Sequence, residues 1–147
     1  MRFVLDTNVV VAALRSPSGA SAALVAQALD RRFTLLLSVP LVLEYEAICT
    51  DPVQRIASGL SESEVGTIVA SLCAVAEPVK GRFLWRPQLR DAADEMVLEA
   101  AVNGSANALV TFNRRDFGEA PGAFGIDLLS PQQALGRLAA WQKRKSK

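Results

Sequence analysis

Residues 1–14 read MRFVLDTNVVVAAL, and the reading of this stretch decides the fold. Arg2 to Leu5 has the apolar run of a short buried strand, and Asn8 to Leu14 continues as a helix until Ser16-Pro17-Ser18-Gly19 breaks it. Asp6 stands at the junction. A carboxylate among apolar residues is costly to desolvate unless a hydrogen bond or a positive charge meets it. Asp6-Thr7-Asn8 therefore either caps the helix or serves chemistry.

The remaining elements extend the same pattern. A second helix is expected over about Ala20 to Arg31, and Phe33 to Val39 (FTLLLSV) has the character of a strand covered on both faces. Pro40 suits the first turn of a third helix ending near Cys49. Thr50-Asp51-Pro52 restarts the chain as a helix to about Ser58, and Ser61-x-x-Glu64 is a capping box opening another to about Leu72. Cys73 to Val79 is a third strand candidate. Asp91 to Val102 reads as a helix stopped by Asn103-Gly104, Ala108 to Thr111 as a fourth strand and Ile126 to Leu129 as a fifth. Ser130-Pro131 opens a final helix to about Trp141. Strands separated by helices predict a three-layer α/β/α sandwich with a mostly parallel sheet of about five strands.

Composition narrows the function. The chain has 147 residues, enough for one domain, expected over 1–142 with a basic, disordered tail at 143–147 containing Lys143, Arg144, Lys145 and Lys147. Cys49 and Cys73 lie in apolar helical contexts without metal-ligand spacing and are expected to be buried, reduced thiols. The apolar opening is interrupted by Asp6 and lacks a basic leader, and no apolar run reaches membrane-spanning length, so a cytoplasmic protein is expected. Histidine is absent. That excludes Ser-His-Asp and Cys-His nucleophilic machinery, histidine acid–base ribonuclease chemistry and histidine-liganded zinc. If the protein is an enzyme, carboxylates carry most of the work.

Ligands of open parallel sheets collect outside the carboxyl ends of the strands, where Asp6 and the stretch from Thr111 to Asp116 (TFNRRD) both fall. Glu44, in SVPLVLEYEAIC, comes three residues after Leu41 and four before Ile48, along an apolar stripe, whereas Glu46 points elsewhere as a solvated residue. Asp91 and Asp94 open a helix, where capping and dipole effects of roughly 1 kcal/mol explain them structurally. A first-turn carboxylate such as Asp94 also points past the helix end, within reach of a metal. Asp116 follows a strand end carrying Thr111 and Asn113, although a turn alone would accommodate it. Oxygen donors without histidine or cysteine suit Mg²⁺ or Mn²⁺, and such an ion among carboxylates favours phosphodiester hydrolysis.

The strand running into Asp6-Thr7-Asn8, the helical Glu44, RDAADEMVLEAA and VTFNRRDF occur in the order and spacing of PIN-domain nucleases. The chain most resembles the VapC-like toxins of bacterial toxin–antitoxin pairs, over nearly its whole length. The resemblance implies a metal-dependent endoribonuclease whose acids match Asp6, Glu44, Asp94 and Asp116, with Asn8, Thr111 and Asn113 as supporting polar positions. It also implies a homodimer inhibited by a small antitoxin that inserts near the acids. Two departures stand out: Ala92 occupies a position where many relatives have proline, and Phe112-Asn113 replaces a common Gly-Asp, leaving the weight on Asp116. Arg114 and Arg115 are candidates to meet RNA phosphates, as are Arg15, Arg82, Arg86 and Arg90, with Trp85 a stacking surface. The alternative reading is a catalytically silent PIN scaffold that binds RNA or protein. A receiver-type phosphotransfer domain would need a second acid where Asn8 stands, and a dehalogenase-like phosphatase would need Asp-x-Asp there.

Overall fold

In the computed structural model, which describes residues 1–81 and 89–146, β1 (Arg2–Leu5) is the middle of five parallel strands. It is flanked by β2 (Thr34–Leu37) and β4 (Ala108–Val110), with β3 (Glu77–Pro78) and β5 (Asp127–Leu129) at the edges. Phe3, Val4 and Leu5 of β1 and all three residues of β4 are wholly buried, as expected where helices cover both faces of a sheet. The architecture is the three-layer α/β/α sandwich expected from the sequence.

Eight helices join the strands among the described residues: α1 (Thr7–Arg15), α2 (Ala20–Leu29), α3 (Val39–Cys49), α4 (Pro52–Ser58), α5 (Glu62–Val75), α6 (Ala92–Asn103), α7 (Arg114–Phe117) and α8 (Pro131–Lys145). Their starts follow capping chemistry: Ser38, Asp51, Ser61, Asp91 and Ser130 each accept a backbone N–H at the head of their helix. None of these helices alone is long and apolar enough to cross a membrane. Gly104, which ends α6, is required by space: a Cβ there would lie 2.9 Å from the Ala100 carbonyl, Leu36 Cδ1 and Val79 Cγ2.

Register decides what meets at the carboxyl end of the sheet. Leu5 of β1 lies opposite Val110 of β4, so the next residues, Asp6 and Thr111, emerge side by side. The Asp6 N–H donates to the Val110 carbonyl at 2.9 Å, continuing the ladder one step past the strand. Tyr45 of α3, fully buried, donates its hydroxyl to the Leu5 carbonyl and ties the third helix to this point.

Several expectations need correction. The third strand, expected over Cys73 to Val79, is only Glu77–Pro78, because the helical burial of Val65, Val69 and Leu72 carries α5 on to Val75. What remains is a two-residue edge strand, where a proline without an N–H is tolerated. Cys73 is accordingly exposed on the last turns of α5, while Cys49 is buried as expected. The basic residues expected in a disordered tail form the last turn of α8 through Lys145. Cations are favoured at a helix C-terminus, and the Lys145 ammonium sits 4.5 Å from the centre of the Trp141 ring. Lys147, Arg82, Trp85 and Arg86 lie outside the described residues.

Candidate active site

Asp6 occupies the N-cap position of α1, but its side chain does not make the usual capping bond. A capping side chain accepts an N–H two or three residues onward, but Asp6 Oδ1 accepts only from the adjacent Thr7 N–H, at 2.7 Å, and the Val9 N–H goes to the Asp6 backbone carbonyl. The other oxygen, Oδ2, accepts from the Thr111 hydroxyl at 2.7 Å. The carboxylate is thus turned toward β4 rather than over the helix end. Asp6 is 6% exposed. Burial pushes its carboxyl above the ordinary range, the bonds from Thr111 and Thr7 pull it back, and the charges of Asp116 and Glu44 push it up again.

Thr111, wholly buried, is the hub of the surrounding polar network. Its Oγ1 donates to Asp6 and accepts from the Asn8 side-chain amide at 3.4 Å and the Asn113 backbone N–H at 3.0 Å. Asn8 Oδ1 in turn accepts the Phe112 N–H at 3.4 Å. Thr111 thus bonds Asp6 directly and Asn8 bonds Thr111 and the Phe112 backbone, while Asn113 joins the network through its backbone N–H and is itself exposed.

The other three acids reach the same region from separate elements. Asp94, in the first turn of α6, has its carboxyl pushed up to about 6, by burial first and then by the charges of Asp6, Asp91 and Asp116. Glu44 of α3 is partly buried. The buried stripe of that helix is Leu41, Tyr45 and Cys49, while Ile48 is 37% exposed, so Glu44 lies beside the stripe and not along it. Its charge is nonetheless felt at Asp6. Asp116 lies on α7, a four-residue helix where the sequence suggested only a turn, anchored by the buried Phe117.

Asp94 and Asp116 face a cleft of about 560 Å³ whose wall also includes Asp91, Arg90, Arg115 and Glu119. Asp91 is exposed and accepts the Ala93 N–H at 2.8 Å, the capping role open to it from the start. Arg115 lines the cleft, whereas Arg114 bonds Gln133 Oε1 at 3.3 Å on α8. Arg15 is exposed at the end of α1, and Glu46 is exposed. The sequence reading passed over Tyr45, an apolar-face residue without a motif, and Glu119. Glu119 reaches the cleft after Gly118, whose φ of +53° turns the chain in a way glycine permits. No local pattern marks it.

The acids form an all-oxygen donor set, the chemistry that suits a hard divalent ion. Neighbouring acids act on Asp6 and Asp94, yet among the described residues no three acidic side chains are gathered tightly enough to ligate one ion as they stand.

Fold and site together define a parallel α/β protein with an acidic cleft at the carboxyl ends of its central strands. Residues 2–115 match the family model of the PIN domain, and the chain belongs to that family. PIN domains are generally nucleases, and those nucleases typically use divalent metals. The matched stretch contains Asp6, Glu44 and Asp94 and stops one residue before Asp116. Comparisons with curated proteins and with solved structures return no match.

Proposed function

We propose that this chain is a metal-dependent endoribonuclease acting as the toxin of a toxin–antitoxin pair. The observation that carries the nuclease reading is the convergence of carboxylates from four separate segments: Asp94 and Asp116 line one cleft, the charges of Asp116 and Glu44 bear on Asp6, and those of Asp6 and Asp116 bear on Asp94. Acidic neighbours that help raise the pKa of Asp6 and Asp94 are a cost to the fold, and such costs concentrate where chemistry needs them.

Asp6, Glu44, Asp94 and Asp116 would hold Mg²⁺ or Mn²⁺, which supplies Lewis acidity for an attacking water and neutralises charge developing on the phosphate. The protein's own groups do the positioning. Thr111 and the Thr7 N–H fix both oxygens of Asp6, Asn8 holds Thr111 and the following backbone in place, and Arg90 and Arg115 on the cleft wall attract the RNA backbone. A homodimer held silent by a small antitoxin docked near the acids completes this reading, in a cytoplasmic setting.

The test is cleavage of a structured RNA panel with Mn²⁺, with EDTA and with Asp6→Asn. Cutting in the first arm alone supports the proposal, and equal cutting in all three rules it out. That the acids are not gathered as a ready-made ligand cluster favours the competing reading of a silent PIN scaffold. A metal titration finding no binding even with RNA present would establish it. Copurification with a small partner encoded next to the chain tests the toxin assignment.

A further inference from the structure

Two helices, α2 and α8, run side by side from the end of the sheet that holds Asp6 to the opposite end. Gly19 and Ser130, at their heads, line one cavity, and the helices pack on each other. Beyond Leu29 the chain enters β2 through Arg31 and Arg32, while the last turn of α8 carries Lys143, Arg144 and Lys145. Met1 joins the two helix ends. Its carbonyl accepts the Thr34 N–H at 2.8 Å, two residues after Arg32, and its nitrogen feels the charge of Lys145. All five cations are exposed, and among the described residues none of them is in an ion pair.

Acids do little to offset this charge. Asp30 is the only carboxylate in α2, α8 and the turn leading to β2. Glu77 and Asp127, at the amino ends of β3 and β5, are already paired with Arg2 and Arg137. The formal charge of +1 for the whole chain thus conceals a separation, with acids gathered at the carboxyl ends of the strands and unpaired cations at the amino ends.

Helix dipoles favour cations at these positions, but that does not account for Arg31. The N–H groups of Arg31 and Arg32 return to the Ala28 and Gln27 carbonyls at 3.0 and 2.9 Å, closing α2 with a Schellman turn, whose pivot is glycine by preference. Arg31 holds the pivot at φ +58°. A side chain in this left-handed conformation costs stability relative to glycine, and such strain is retained where a residue serves more than the fold.

Exposed cations neutralise backbone phosphates without reading sequence. A docked protein would call for exposed apolar side chains as well, and the large exposed hydrophobic residues among those described all lie outside α2, α8 and the turn to β2. The acids of the cleft repel a polyanion, so affinity for RNA must be supplied away from them. The fifteen residues of α8 span about 22 Å, and neither helix carries a carboxylate to repel an RNA lying along it. Resting on the nuclease reading above, we infer that Arg31, Arg32, Lys143, Arg144 and Lys145 form a second RNA contact, which binds backbone phosphates at the end of the sheet opposite the acids.

Anisotropy of a fluorescent RNA hairpin with 2′-O-methyl sugars, in EDTA so that no cleavage occurs, tests this contact; a stem of about twelve base pairs covers the length of α8. Lys143→Gln, Arg144→Gln and Lys145→Gln together should weaken binding about tenfold or more and lower the salt slope of log K by about 2.7, the share of three phosphates. Lys143→Arg with Lys145→Arg keeps the charge and should bind within about twofold of wild type. Arg31→Gly separates binding from folding: affinity should fall about threefold while the melting temperature holds or rises, because glycine relieves the left-handed turn. Lys80→Gln removes an exposed cation outside the patch and should change affinity less than about twofold.

Wild-type affinity in the triple glutamine variant, equal losses in Lys80→Gln and in Arg144→Gln alone, or no hairpin binding by the wild-type protein would each overturn the contact. Binding of polyglutamate as tight as that of the hairpin would also overturn it, in favour of an acidic protein segment. The nuclease reading fails separately. If the variants weaken binding as expected but Mn²⁺ produces no RNA cutting, the contact stands and catalysis falls; if RNA is cut and the variants bind normally, the reverse holds.

Discussion

Replacing Asp94 with asparagine keeps the side chain's shape and removes its charge, and the structure predicts that the metal-free protein becomes more stable. The Asp94 carboxyl is raised from 3.8 to about 6 by burial and by Asp6, Asp91 and Asp116. At about 1.4 kcal/mol per unit, the ionised form would be disfavoured by roughly 3 kcal/mol on folding. Asp94 is partly open to solvent, and screening reduces this to about 1.5 kcal/mol. Against it stands the helix dipole, since Asp94 sits in the first turn of α6 and loses about 0.5 kcal/mol when neutralised. Burial and repulsion together outweigh the dipole, and Asp94→Asn should gain about 1 kcal/mol at pH 7.5, or about 3 °C in Tm.

The pH dependence follows from the sign of the shift. The folded pKa lies above the unfolded one, so the folded state keeps its proton longer, and this residue's contribution to stability falls as pH rises from about 4 to about 6. Above that window the penalty is constant, and below it the penalty vanishes. Urea unfolding in EDTA of wild type and Asp94→Asn between pH 4 and 8 measures the difference directly. The advantage of the variant should be near zero at pH 4 and full by pH 7. A variant less stable than wild type at pH 7.5, or a difference that does not change with pH, would refute the argument that Asp94 is held against other acids. Under the proposed function the same variant loses RNA cleavage, which separates a residue kept for chemistry from one kept for the fold.

Three further outcomes are expected. Thr111→Val removes the hydroxyl that pairs with buried Asp6 Oδ2 and should cost about 1–3 kcal/mol in urea unfolding at neutral pH; the loss should shrink in an Asp6→Asn background, where no charge is left unpaired. Gly104→Ala forces a Cβ to 2.9 Å from the Ala100 carbonyl, Leu36 and Val79 and should destabilise by about 1–3 kcal/mol, seen as a lower Tm. Tyr45→Phe leaves the Leu5 carbonyl without its buried donor and should cost about 1 kcal/mol by the same measurement; a neutral effect would show that the hydroxyl does not hold α3 to the site.

Much of this was legible from local pattern. Continuous apolar runs marked β1, β2 and β4 because strands covered on both faces carry no polar alternation. Capping residues marked the starts of α4, α5, α6 and α8, because unpaired N–H groups at a helix end demand side-chain oxygens close in sequence. The misreadings share a cause. Cys73 to Val75 is apolar enough for a strand but joins α5 because residues before it are already helical, and α7 is too short to show a period. Local composition cannot register either effect.

The sequence by itself determined that any chemistry here is carboxylate chemistry, since histidine is absent, and it placed Asp6 at the end of a central strand. It could not choose between a capping Asp6 and a functional one, because both readings use the same three letters. What the Asp6 side chain bonds was decided by the register of β1 against β4, which set Thr111 beside Asp6, 105 residues away in sequence, and drew Oδ2 away from the helix end. The same long-range packing brought Asp94 and Asp116 within electrostatic reach of Asp6. Helix starts and strand runs are short-range consequences of side-chain chemistry, whereas a site assembled from distant segments exists only once the sheet has aligned them.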